Sequence, residues 1–218
     1  VVLASGSVLE VSGELTATTI SGAGRVLAES FTTETLSNTG SLEVTVTDSI
    51  VAGEIELAEG ETLSLTGDVT TGSLSGKGSV IVDGVVEGDG GELTISGTPK
   101  VTGDLKLEAD TTLIFSDDAV LEVTCDVEAL GALTLLGDGT LEAKDNLTVY
   151  GDLTSSSSTV ILEVGGDISA DVLAIGDKPH LVVTIQDGKV LEVQSIDEGY
   201  ITVTVKGGGA FVIKDDTE

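Results

Sequence analysis

A tandem repeat of about fifty residues runs along this chain. Repetition at a fixed period confines a fold to stacked units that bury one another's faces. Residues 8–30, VLEVSGELTATTISGAGRVLAES, align without a gap on residues 62–84, TLSLTGDVTTGSLSGKGSVIVDG, an offset of 54. Gly13, Gly22 and Gly24 fall on Gly67, Gly76 and Gly78, and Leu15 and Ile20 fall on Val69 and Leu74. LSLTGDVTTGSL (63–74) returns as LEVGGDISADVL (162–173), an offset of 99 that reads as two periods. VTGDL (101–105) recurs as VYGDL (149–153), an offset of 48.

Inside each repeat, apolar and polar residues alternate over short runs such as Val44 and Val46, and the runs end at Gly, Asp, Asn or Ser. That is the period of a half-buried strand. Val, Ile and Thr dominate the runs, and their branched side chains suit a pleated surface better than a helix. The nearest helical candidate, CDVEALGAL, is cut by Gly131, so almost no helix is expected. Turns are expected to be glycine turns, with 29 Gly against 2 Pro.

Short strands with regular turns fit a sandwich, a barrel or a solenoid. Strands of a sandwich have no reason to repeat the same Gly at fixed offsets, whereas each coil of a solenoid repeats the corners of the coil below. The expectation is an all-β chain, a parallel β-solenoid forming one domain over residues 1–218. Each repeat divides into three coils of roughly sixteen to eighteen residues, giving about twelve or thirteen coils and a rod of roughly 60 Å. Crossovers between parallel strands favour a right-handed path. Ser155–Ser158 reads as a loosened corner.

With aromatics at 2%, the core must be built from aliphatic side chains, and Phe31, Phe115 and Phe211 are expected to wedge into it. Cys125, the single cysteine, alternates with Val123 and Val127 and is expected to point inward. The formal charge of −29 makes nucleic acid and anionic membrane poor partners. No apolar stretch reaches the length of a membrane span. A chain that opens VVLASG without Met reads as a processed, secreted product, so an extracellular, cell-surface location is expected.

No catalytic constellation is visible, and no enzyme activity is expected. His180 is the only histidine and follows Lys178 and Pro179 in a turn. Carboxylates recur more regularly: Glu54 with Asp68, Asp104 with Asp118, and Asp152 with Asp167 share nearly the same spacing. If that spacing were one coil, each pair would stack about 5 Å apart and repel. Ca²⁺ held by the paired carboxylates would relieve the repulsion, which makes these six residues the candidate metal ligands. No cofactor is otherwise required. Asn146-Leu147-Thr148 is a formal glycosylation acceptor.

The segments TLSLTGDVTTGSLSGKGSVIVDG and ALTLLGDGTLEAKDNLTVYGDL resemble the glycine-punctuated repeats of bacterial autotransporter passengers and filamentous-haemagglutinin-type adhesins. The resemblance implies a right-handed parallel β-helix displayed at or beyond a cell surface. The apolar, strand-like ends VVLASGSVLEV and AFVIKDDTE suggest docking edges, so the expected function is a self-assembling structural subunit of a filament, sheath or surface layer, with further copies of itself as partners. An adhesin stalk that engages a glycan or protein of a host or cell surface is the alternative. A polysaccharide-active β-helix enzyme is a further one; it would need basic residues clustered with Asp, yet Arg25 is the only arginine.

Overall fold

The computed structural model describes residues 1–88, 91–107, 110–155, 159–175, 180–196, 200–205 and 208–213. Its strands, β1 (Val2–Glu10) to β21 (Ala210–Ile213), form one twenty-one-stranded sheet, and no helix occurs among the described residues. Every strand pairing among them is parallel. Parallel neighbours on a continuous ladder require the chain to coil, and the chain is a β-solenoid.

Each turn contributes three strand segments, so the rod has three faces. On face one, Leu9, Val26, Val44, Leu65 and Val82 stack in register, turn upon turn. On face two the inward column runs Leu15, Phe31, Ile50, Val69 and Val86. On face three it runs Ile20, Leu36, Ile55, Leu74, Ile95 and Phe115. These columns meet along the axis as one aliphatic core, in which Phe31, Leu36, Ile50, Leu113 and Leu135 are wholly buried. Burying one such side chain stabilises the fold by about 1.5–3 kcal/mol before entropy is counted. Phe31 and Phe115 lie inside as expected, and Phe211 packs partly buried against the core.

Turn length varies along the rod and is greater in its later part than in its first turns. The register step is shortest where Glu14 pairs with Ser30, longer where Phe31 pairs with Ile50, and longest where Leu105 pairs with Val127 and Ile168 with Leu191. The offset of 54 does span three turns: Leu15, Phe31, Ile50 and Val69 are successive members of one column. The offset of 99 spans about five turns of about 20 residues, so extending the short early coils to the whole chain overcounts them. The rod makes about nine turns, fewer than twelve or thirteen. At about 4.8 Å per turn it is about 45 Å long.

Gly22 and Gly76 close the same corner three turns apart, with φ of 118° and 102°. A Cβ at Gly76 would collide with the Leu57 carbonyl of the turn below, and one at Gly22 with that of Leu3. Glycine is therefore demanded twice over, by backbone conformation and by close approach. Thr33 and Thr71 sit buried two turns apart on face two; Thr33 Oγ1 donates to the Thr35 carbonyl at 3.0 Å, and Thr71 Oγ1 to that of Ser73 at 3.1 Å. Each hydroxyl is engaged beside the bend into face three, and that of Thr33 also lies 3.2 Å from the Thr18 carbonyl of the turn below.

Cys125 is half-buried at a corner, not inside a strand; the alternation that suggested an inward thiol stops at Val123. Of the Ser155–Ser158 corner, Ser155 ends a strand fully buried, and residues 156–158 lie outside the described residues. His180 opens β18 (His180–Ile185), while the preceding residues 176–179 lie outside the described residues. No helix among the described residues is long and apolar enough to cross a membrane.

Candidate functional site

The six predicted carboxylates do not form stacked pairs, because the spacing within each pair is shorter than one turn. Glu54 lies on face three in register with Ser73, whereas Asp68 opens face two in register with Ser49. Asp104 precedes the face-two strand Leu105–Leu107, while Asp118 sits with φ of 58° at the irregularity between faces three and one. Asp152 precedes face three and Asp167 precedes face two. Among the described residues no group of three or more His, Cys, Asp or Glu is placed to hold a metal ion. The recurrence of VTGDL as VYGDL likewise joins two different corners, the first before face two and the second before face three.

The true vertical neighbours at the corner before face two are separated by a whole turn. There Asp104, Asp126, Asn146 and Asp167 form a ladder. Asp104 Oδ1 accepts the Asp126 N–H at 3.2 Å, and Asp126 Oδ1 accepts the Asn146 N–H at 2.8 Å and Asn146 Nδ2 at 3.0 Å. Asn146 Oδ1 accepts the Asp167 N–H at 2.9 Å, and Asp167 Oδ1 that of Val190 at 2.9 Å. The carbonyls of Asp126, Asn146 and Asp167 accept the N–H groups of Leu105, Val127 and Leu147 in the opposite direction. The corner thus satisfies backbone donors that leave the strand ladder at each bend. Asn146 is the neutral member between like charges, and both ends of its amide are engaged. Asn146, the first residue of the formal acceptor motif, is a structural element of this ladder.

Face two turns its polar side outward beside this ladder. Lys106, Glu128, Thr148, Ser169 and Glu192 stand in one register column across five turns. Lys106 Nζ and Glu128 Oε2 are 3.1 Å apart. Two concavities share this column. One, about 620 Å³, is lined by Asp83, Asp104, Lys106, Asp126, Glu128 and Thr148; the other, about 240 Å³, by Thr148, Tyr150, Ser169, Glu192 and Gln194. Thr148 lines both, so the two lie end to end along one register column and make a grooved strip parallel to the axis. The groove begins where the face-two strands shrink to three residues and Leu107 is the only residue of β10 (Leu105–Leu107) in register with β7 (Val86–Gly88). Tyr150, 60% exposed, stands on its rim at the end of β14 (Leu147–Val149). Leu130 occupies the same corner one turn earlier: its N–H bonds the Leu107 carbonyl, as that of Tyr150 bonds Ala129.

On face one, Glu122, Glu142 and Glu163 stack in register above Lys100, which bonds Glu122 at 2.8 Å. Lys144 lies against this stack and hydrogen-bonds Glu142. That bond raises the lysine pKa above its ordinary value against an opposing desolvation, and the charges of Glu142, Glu122 and Glu163 add to the rise. The pairing is exposed, so it orders the stack more than it stabilises the fold.

The face-two column escaped sequence reading because the length of a turn drifts. Along the neighbouring ladder the successive steps are 22, 20, 21 and 23 residues, an irregular series that no fixed offset reveals. A usable signal existed: an Asp or Asn before an aliphatic residue recurs as Asp104-Leu105, Asp126-Val127, Asn146-Leu147 and Asp167-Ile168. Comparisons with protein-family models, with curated proteins and with solved structures found no match to this chain.

Proposed function

We propose that this chain is a rod-forming structural unit of an extracellular assembly, extended end to end by strand addition between copies. The observation that carries the reading is where exposed apolar residues gather. Val1, Val2 and Val8 are 53%, 80% and 61% exposed on the first turn, and Ile196, Val205, Val212 and Ile213 on the last turns are 36% to 51% exposed. Between them only Val51, Ile81, Leu130 and Tyr150 rank with these among the described residues. Strand β1 pairs on one side only, with β2 (Glu14–Ala28), and β21 only with β19 (Val190–Ile196), among the described residues. An open parallel edge bordered by apolar side chains is a template for another strand. Stacking of unlike ends does not close on itself, so it generates a filament.

Electron microscopy of the purified chain at increasing ionic strength tests this reading. Filaments are expected, and Val8→Lys is expected to shorten or abolish them by placing a charge on the docking edge. Isolated rods of about one molecule's length at every salt and protein concentration would overturn it.

A further inference from the structure

We propose that the outer groove of face two, from Lys106 to Glu192, binds an extended uncharged polysaccharide whose chain runs along the solenoid axis. The inference is independent of end-to-end assembly, since the groove lies on the side of the rod. Four observations converge on this ligand class. The two concavities adjoin at Thr148 and follow one register column along the axis. The floor of the groove offers one polar side chain per turn, in the order Lys106, Glu128, Thr148, Ser169, Glu192.

The repeat of that floor is the solenoid repeat, about 4.8 Å. An extended pyranose chain advances by nearly the same length per sugar, so successive sugars meet successive turns in phase. An extended peptide advances about 3.4 Å per residue and falls out of step within two turns. The floor also mixes a cation, carboxylates and hydroxyls, and so presents both donors and acceptors, which is the chemistry that hydroxyl-rich ligands require.

Tyr150 supplies the third observation. It is 60% exposed on the rim, beside Leu130 at 38%. An exposed tyrosine ring has apolar surface to cover the C–H face of a sugar while its hydroxyl stays wet. The fourth is charge. Asp83, Asp104 and Asp126 line one concavity of a chain whose formal charge is −29, and this field repels uronic, sulfated or phosphorylated polymers.

The test is isothermal titration of the full chain carrying Val8→Lys, so that polymerisation does not interfere. The probes are cello-, manno-, xylo- and chito-oligosaccharides of two to six sugars, with oligogalacturonates as the anionic series and an oligolysine as a basic peptide. At least one neutral series is expected to bind, with affinity rising with chain length until about five sugars fill the five turns. Tyr150→Ala is expected to weaken binding by about tenfold while Tyr150→Phe keeps it. Thr148→Val, which preserves the branched shape of the strand residue, is expected to weaken it several-fold. Val51→Ser, on the same outer face but outside the groove, is expected to leave it unchanged, and circular dichroism establishes that each variant is folded. Binding by no neutral series, equal binding by Tyr150→Ala, or preference for oligogalacturonate or oligolysine would overturn the proposal.

Discussion

Asn146 shows how one side chain sets the electrostatics of a corner. Carboxylates one turn apart repel by about 1 kcal/mol in water, and Asp104 and Asp126 already face each other across one step. Asn146 continues the hydrogen-bond ladder without adding charge, and its Nδ2 donates to the Asp126 carboxylate at 3.0 Å. Asn146→Asp keeps the acceptor for the Asp167 N–H, loses that donor and joins the charges into an unbroken row of four. A loss of about 1–2 kcal/mol is expected in urea unfolding at low salt, shrinking in about 0.5 M salt as screening takes effect. A loss unchanged by salt would locate the cost in the hydrogen bond alone. At Gly76 the requirement is steric: Gly76→Ala must hold φ near 102° and push back the Leu57 carbonyl. Destabilisation of about 1–3 kcal/mol is expected from the thermal midpoint.

The scale of the element is the column, and two columns behave differently. In the core, Ile50 is wholly buried between Phe31 and Val69, its register partners on the adjoining turns. Ile50→Ala is expected to cost about 2–5 kcal/mol, because the turns above and below hold the backbone apart and little collapse is possible. On the exposed column Glu122, Glu142 and Glu163 are held together by Lys144. A lysine whose folded pKa is raised stabilises fully below its unfolded pKa and loses that contribution as pH rises through the folded value. Lys144→Gln is therefore expected to lower the thermal midpoint by a degree or two at pH 7. Wild type and variant should converge only at pH values above the raised lysine pKa, where the side chain is neutral in both folded and unfolded chains. A difference that persists there would assign the effect to packing of the lysine stem.

At the scale of the whole molecule, a formal charge of −29 on a rod of about 45 Å opposes end-to-end contact unless salt screens it. Filament growth, followed by light scattering, is expected to accelerate from about 10 mM to about 150 mM salt as the Debye length shrinks. Growth that slows with salt would point to charge pairing between the ends. Alternation and the recurring glycines made strands and coiling legible from residues alone, because both are local consequences of side-chain direction and backbone freedom. The three-turn repeat could be read over residues 8–84, where one gapless offset relates equivalent members of a column. Beyond it the turns lengthen to as many as 22 and 23 residues. Short motifs such as VTGDL and VYGDL then match at corners that are not equivalent. The amino-acid sequence by itself determined that the chain is all-β, that its strands stack in repeated coils and that its core is aliphatic. Only the tertiary structure decided which residues became vertical neighbours, and hence the Asp104–Asp167 ladder and the groove beside it. The physical reason is that register in a solenoid is set by the summed length of every corner in a turn, so a single added residue redirects each contact above it.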